Sequence, residues 1–182
     1  LLSSPPRERV AVETTVVRDS DIMVRSAVES ELARGGQVFF LHNRVTTMGK
    51  VEKRLREICP QVRIVTAHGQ MDSKTLARKM RSFERGEYDL LLSTTIIESG
   101  IDIPRANTIL VSDAHTFGLA DLYQLRGRVG RSAVQGRAVF LLPAAGSVDS
   151  DARERLASLK RHGGLGGGFA LAVRDLELRG AG

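Results

Sequence analysis

One cysteine, Cys59, occurs in the 182 residues, which rules out an internal disulfide framework and any multi-thiolate metal centre. It closes a helical pattern just before Pro60, where a small apolar filler is enough. No apolar run approaches the roughly eighteen residues that a membrane-spanning helix needs, so no membrane partner is expected. The amino terminus, LLSSPPRERV, lacks the charged-then-apolar order of a signal peptide, and the chain is expected in the cytoplasm. Neither phosphate-cradling loop, G-x-x-x-x-G-K-S/T or G-x-G-x-x-G, occurs, even in the glycine cluster at 163–168. The chain therefore cannot hold a triphosphate alone in the usual way. Internal repeats and low-complexity tracts are absent as well.

What is present describes an ordinary globular chain. Hydrophobic residues make up 42% and charged residues 26%, enough for one domain with a sizeable core and perhaps a short appendage. The net charge of +6 and a pI near 10.1 favour polyanionic partners such as nucleic acid. There is no starting Met, and the sequence stops inside RGAG, so a piece of a longer protein is the expectation.

Residues 1–9, with Pro5-Pro6 and alternating charge, read as a linker. Val10, Val12, Thr14 and Val16 then alternate with Ala11, Glu13, Thr15 and Val17, predicting a half-buried strand near a sheet edge. Ser20 or Asp21 caps a helix with Val24, Ala27, Val28 and Leu32 on one face, and Gly35-Gly36 ends it. Val38–Leu41 is continuously apolar, as a strand covered on both faces should be. A helix follows from about Thr47 to Cys59, then a strand from Val62 to Thr66. Asp72 or Ser73 caps a third helix with Leu76, Ala77, Met80 and Phe83 on one side. Apolar runs at 89–93, 108–111 and 138–142 supply three more strands.

Five such runs alternating with amphipathic helices predict a doubly wound, mostly parallel α/β sheet over residues 10–146, with helices on both faces. Residues 147–182 read as a helical hairpin: one helix from Ser150 or Asp151 to Lys160, a glycine turn, and a second helix from Phe169 to Leu178. In a parallel sheet, ligands gather at the carboxyl ends of strands. His42-Asn43-Arg44, His68-Gly69-Gln70, Ser93-Thr94-Thr95 and Ser112–His115 all directly follow a strand. The acid at Asp113 imitates a magnesium-binding strand, but with no Glu beside it and no phosphate loop before it, a plain strand end is the better reading. His68 and His115 have no third ligand for a metal.

Two segments carry chemistry. Gln124-Leu125-Arg126-Gly127-Arg128-Val129-Gly130-Arg131 packs three arginines and two glycines into eight residues. Guanidinium forks fit phosphate oxygens, and glycine allows close backbone approach. The segment Thr94-Thr95-Ile96-Ile97-Glu98-Ser99-Gly100-Ile101-Asp102-Ile103-Pro104 places hydroxyls just past a buried strand and an acid able to accept from a ribose hydroxyl or orient an arginine. Each alone has a plain reading, a solvated basic turn or a capped loop.

The ordered set of strand ends HNR, HGQM, TTIIESGIDIP and QLRGRVGR resembles the second, RecA-like motor lobe of superfamily-two helicases and translocases. GLADLYQLRGRVGRS with GGFALAVRDLELRGAG resembles the branch shared by bacterial transcription-repair coupling factors and fork branch-migration helicases, and HGQM, TTIIESGIDIPRANTI and HTFGLA are nearer the former. The resemblance spans about Arg7 to Gly182.

It implies ATP with Mg2+ held chiefly by an absent first RecA-like lobe, with Arg128 and Arg131 reaching across as catalytic arginines. Gln124, Gly100 and Asp102 match nucleotide-linked positions. It implies double-stranded DNA contacted at the backbone by Thr94 and Thr95, with Asn43, Arg44, His68 and Gly69 near the track. It also implies a translocation motif with Arg179, and RNA polymerase and nucleotide-excision-repair proteins as partners of other domains. The activity implied is ATP-driven DNA translocation in transcription-coupled repair, with this piece inactive alone. Two other classes remain: a non-catalytic basic nucleic-acid-binding module, and a complete α/β enzyme for a dinucleotide or phosphorylated metabolite, which the missing phosphate loop disfavours.

Overall fold

Strands form where the continuous apolar runs lie. The computed structural model describes residues 11–94 and 102–161, and in them the strands are β1 Glu13–Arg18, β2 Gln37–Leu41, β3 Ile64–Ala67, β4 Leu90–Ser93, β5 Ala106–Val111 and β6 Arg137–Leu142. They make one six-stranded sheet in the order β1-β6-β5-β2-β4-β3, and every neighbouring pair runs parallel. This is the doubly wound sheet that the alternating pattern predicts, and here every described strand runs parallel to its neighbours. The expected edge position of the first strand holds too, since β1 pairs with β6 alone and buries only alternate residues.

Helices cover both faces because parallel strands need crossovers. Val24 and Val28 of α1 (Asp21–Ala33) and Met48 and Leu55 of α2 (Val45–Ile58) pack on Val38, Phe40, Leu90, Leu92 and Leu110. The alternate strand residues, Phe39, Leu41, Leu91, Ile109 and Phe140, face α3 (Ser73–Glu84), α4 (Leu119–Arg126) and α5 (Ser150–Arg161) through Phe83, Leu122 and Leu156. The period of two along each strand thus sorts one apolar run into two cores. Phe39 and Phe83 meet with ring centroids 5.8 Å apart.

Caps fall at the predicted residues. Met23 N donates to Ser20 Oγ at 3.2 Å, and Thr75 N donates to Asp72 Oδ1 at 2.8 Å. Helix α5, read from sequence as part of the hairpin after the sheet, buries Ala152, Leu156 and Leu159 in the same cluster as the strands. The second hairpin helix lies outside the described residues. Ala77, expected inward, is exposed. At about 100° per residue it sits well off the arc shared by Leu76, Met80 and Phe83, and that arc alone meets the sheet.

One feature escaped the pattern. Glu31, an acidic residue of α1, is 1% exposed. Arg34 donates to it through Nε at 2.6 Å and Nη2 at 2.7 Å, and Thr108 Oγ1 donates at 2.6 Å. A Cβ at Gly36 would overlap this carboxylate, so glycine there leaves room for the ion pair, while Gly35, at φ 81°, makes the turn. Removing the guanidinium leaves a buried charge unpaired, and Arg34→Met should lower the unfolding free energy by about 3 kcal/mol, read by urea denaturation. A loss below a few tenths would show that the pair is not structural.

Candidate functional site

Four strands that are neighbours in the sheet, β5, β2, β4 and β3, deliver their following loops to one edge. At about 4.8 Å per strand these loops line roughly 15 Å of that edge. Hydrogen bonds from His42 N to Ser93 O at 2.8 Å and from Ser112 N to Leu41 O at 2.9 Å carry the ladder one residue beyond the strands. The loop backbones therefore leave the sheet in fixed register.

Asn43, Arg44 and Gly69 are exposed on this edge, and His68 is partly so. The His68 Nδ1 accepts from Gln70 N at 3.2 Å, which turns the imidazole back on its own loop. Thr94 is 6% exposed, and the Ser93 hydroxyl beside it is buried without a hydrogen-bond partner. Thr95 and Gly100 lie outside the described residues, as does Arg179.

Sequence reasoning gave no role to the side chain of His42. It is 6% exposed, with Nδ1 3.2 Å from Ser112 Oγ and Nε2 2.7 Å from Thr47 Oγ1. It thus fastens the loop after β5 to the first turn of α2, and holds Asn43 and Arg44 between them. Burial lowers its pKa from the ordinary histidine value; the Asp113 carboxylate opposes this and the Arg44 cation adds to it. The only sequence signal was a hydroxyl five residues on, at Thr47.

The arginine-rich segment lies elsewhere. It was grouped with the strand ends, but it forms the last turns of α4 and the loop leading to β6. Gly127 caps α4, Val129 is buried at 3% exposure, and Gly130 takes φ 75°. A Cβ at Gly130 would stand 3.0 Å from Val12 Cγ2, and one at Gly136 would come within 2.5 Å of Gly130 N. Two glycines therefore let this turn press against the chain entering β1. Ser132 Oγ donates to Asn107 Oδ1 at 3.3 Å, fixing the loop at the amino end of β5. Exposed Asp102 also lies by that end, four residues ahead of the strand. The two groups of predicted residues thus occupy opposite ends of the strands, separated by about 20 Å for a six-residue strand.

Within the segment the arginines divide their work. Arg126 donates from Nη1 to Leu159 O at 2.9 Å and stacks 5.0 Å over the Tyr123 ring. The Tyr123 hydroxyl donates to Ser158 O at 3.2 Å. These two side chains bind α4 to the last turn of α5. Arg128 and Arg131 flank buried Val129, the first half-buried and the second exposed, and Arg131 Nε donates to Gly127 O at 3.0 Å. The Arg128 pKa is lowered by burial and then by the positive charge of Arg131. Gln124 is exposed on the same helix.

Among the described residues no three His, Cys, Asp or Glu side chains converge as metal ligands, and no helix is long and apolar enough to cross a membrane.

Residues 21–133 match the model of the helicase conserved C-terminal domain. The whole chain is 50% identical to part of a transcription-repair-coupling factor of Myxococcus xanthus and 46% identical to part of one from Staphylococcus epidermidis. It spans about 15% and 16% of the length of those relatives. Among solved structures, RecG bound to a three-way DNA junction superposes with a TM-score of 0.74 at 34% identity, over 98% of this chain and 24% of that one. The C-terminal domain of Saccharomyces cerevisiae Dbp5 superposes at 0.61 over 84% of this chain and 85% of its own, a likeness of fold at 19% identity.

Because the folded state disfavours protonation of His42, its contribution to stability is complete above the ordinary value of 6.5 and lost as pH falls through the lowered folded value. Its ring resonances should titrate with a midpoint below 6.5, and His42→Gln should flatten the stability loss that sets in as pH falls below 6.5. An ordinary midpoint would overturn this account of the clasp. Gly130→Ala, forced into positive φ against Val12, should cost about 1–2 kcal/mol in denaturant unfolding.

Proposed function

The chain belongs to the helicase conserved C-terminal domain family, and from that premise we propose that it is the second motor lobe of an ATP-dependent double-stranded DNA translocase. The parent would act in transcription-coupled repair, displacing stalled RNA polymerase and engaging nucleotide-excision-repair proteins through other domains. The observation that carries the reading is the turn Arg128-Val129-Gly130-Arg131. Its two arginines stand three residues apart at the surface, one half-buried and one exposed, its apolar residue is anchored in the core, and its glycine sits at positive φ. The identity with transcription-repair-coupling factors over all 182 residues supports the choice of process.

The lobe holds half of a nucleotide site. Arg128 and Arg131 neutralise charge on the terminal phosphate of ATP whose phosphate loop and Mg2+ belong to the first lobe. Gln124 and Asp102 border that pocket, with Gly100 next along the chain. Arginines supplied in this way can contribute about 10³ to 10⁵ in rate. At the carboxyl edge Asn43, Arg44, His68, Gly69, Thr94 and Thr95 meet the DNA backbone. Such phosphate contacts ignore sequence, as a motor that moves along DNA requires. Arg126 and Tyr123 hold α5 to the helix that carries the arginine turn. Closing and opening of the nucleotide cleft then moves α5, and through it the segment bearing Arg179. A fork branch-migration helicase is the second reading, favoured by the 34% identity to RecG over 98% of this chain.

In the full-length parent, Arg131→Ala should lower steady ATP hydrolysis by about 10³ or more with an unchanged melting temperature, and an unaffected rate would reject the assignment. The 182-residue chain alone should hydrolyse no ATP at all. Sustained turnover by the purified piece would contradict a half-site.

A further inference from the structure

Helix α3 carries a charge pattern that the fold does not use. Lys74, Arg78, Arg81 and Arg85 are all exposed, and their spacing of four, three and four residues sets them in one stripe about 16 Å long. Between the first three, exposed Ala77 and Ser73 leave an open recess of about 410 Å³ lined by Ser73, Lys74, Ala77, Arg78 and Arg81. Several other surface cations are matched by acids: Arg54 with Asp19 and Asp21, Arg56 with Glu52, and Arg63 with Asp89. Lys74, Arg78 and Arg81 make no ion pair among the described residues. Arg85 meets only exposed Glu87 at 3.4 Å, and Arg78 acts on the Asp72 cap at longer range.

Helix stability does not account for this arrangement. Cations favour the last turn, which would explain Arg81 and Arg85, but Lys74 stands in the first turn, where the helix dipole disfavours it and the first turn itself carries no acid beyond the Asp72 cap, which is already bonded to Thr75. The one acid on α3, Glu84, lies at the opposite end. The stripe begins one turn from the His68–Gln70 loop and runs down the outside of the lobe, away from the carboxyl edge.

We infer that the outer face of α3 is a second docking surface for the phosphate backbone of a duplex nucleic acid, distinct from the strand-end track. Along one strand of B-DNA charges recur about every 3.4 Å of axis, so four cations in about 16 Å face roughly five phosphates. The small side chain of Ala77 lets the backbone settle between the guanidiniums. No exposed aromatic residue interrupts the stripe, since Phe83 is fully buried. Without a stacking platform for unpaired bases, the face suits a backbone presented by a duplex. It would hold DNA approaching or leaving the motor and raise its time on the track.

The test measures binding of a fluorescent duplex of about 30 bp to the 182-residue chain by anisotropy, over roughly 50 to 200 mM KCl. Replacing Lys74, Arg78 and Arg81 by Gln should raise Kd about tenfold or more at the low-salt end and reduce the slope of log K against log salt by about 2 to 3. Ala77→Glu, which fills the recess with an acid and removes no cation, should weaken binding as well. The control replaces Arg25, Lys50 and Lys53 by Gln, giving the same net charge on helices of the other sheet face. Equal losses in the two triple variants would mean attraction by net charge alone and overturn the proposal, as would an unchanged Kd with unaltered melting in the α3 variant. Asn43→Ala with Arg44→Gln reports separately on the strand-end track: loss there with none at α3 sinks this inference and leaves the track. The reverse result sinks the track assignment and keeps the α3 surface. An α3 variant that holds DNA normally but no longer binds a polyglutamate peptide would assign the face to an acidic polypeptide, against the proposal.

Discussion

Burial of the sheet on both faces is the constraint from which the rest descends. A parallel ladder can be closed only by crossovers, and each crossover must bring the chain back under or over the sheet before the next strand begins. All six strands therefore point one way, and every loop that follows a strand opens on the same rim. Asn43, Arg44, His68 and Thr94 become neighbours through strand order, although they are far apart in sequence. The same rule sends the loop after α4 toward the other rim, where Val12 and Asn107 receive it.

Much of this was readable from sequence because apolar continuity and helical periodicity are local signals. Val38–Leu41 could hardly be anything but a doubly covered strand, and Ser20 and Asp72 announced their caps. What stayed hidden depended on contacts distant in sequence. Glu31 looks like any outward glutamate until Thr108, 77 residues on, donates to it. His42 carries no local sign of its role until Ser112, 70 residues on, and Thr47 are seen to occupy both its nitrogens. Ala77 shows the reverse error: an apolar letter near an apolar stripe was counted into it, when the turn angle places it in solvent. The grouping of QLRGRVGR with the strand ends failed for a related reason, since order along the chain says which loop comes next but not which rim it reaches.

Polar burial in this lobe is spent on position rather than on strength. The Glu31–Arg34–Thr108 cluster ties α1 to β5, Gln37 Nε2 donates to Phe83 O at 2.7 Å and Tyr88 O at 2.8 Å, and His42 joins β2, β5 and α2. Apolar packing alone would permit small slides of helix on sheet. Each of these hydrogen-bonded points forbids one such slide at a cost in desolvation that hydrophobic residues would not incur. The loops that follow these strands therefore leave a platform that cannot drift.

The final carbonyls of a helix ordinarily look for water or for a residue just downstream. In α5 two of them, on Ser158 and Leu159, are taken by a phenol and a guanidinium projecting from α4, and Arg155 adds a bond to His115 O at 3.0 Å. The direction of the last turn of α5 is thus set by a different helix from the one it ends. Reorient the arginine-bearing helix by a few degrees and the tip of α5 swings with it, as a rudder follows a tiller, with no change required in the sequence of α5 itself.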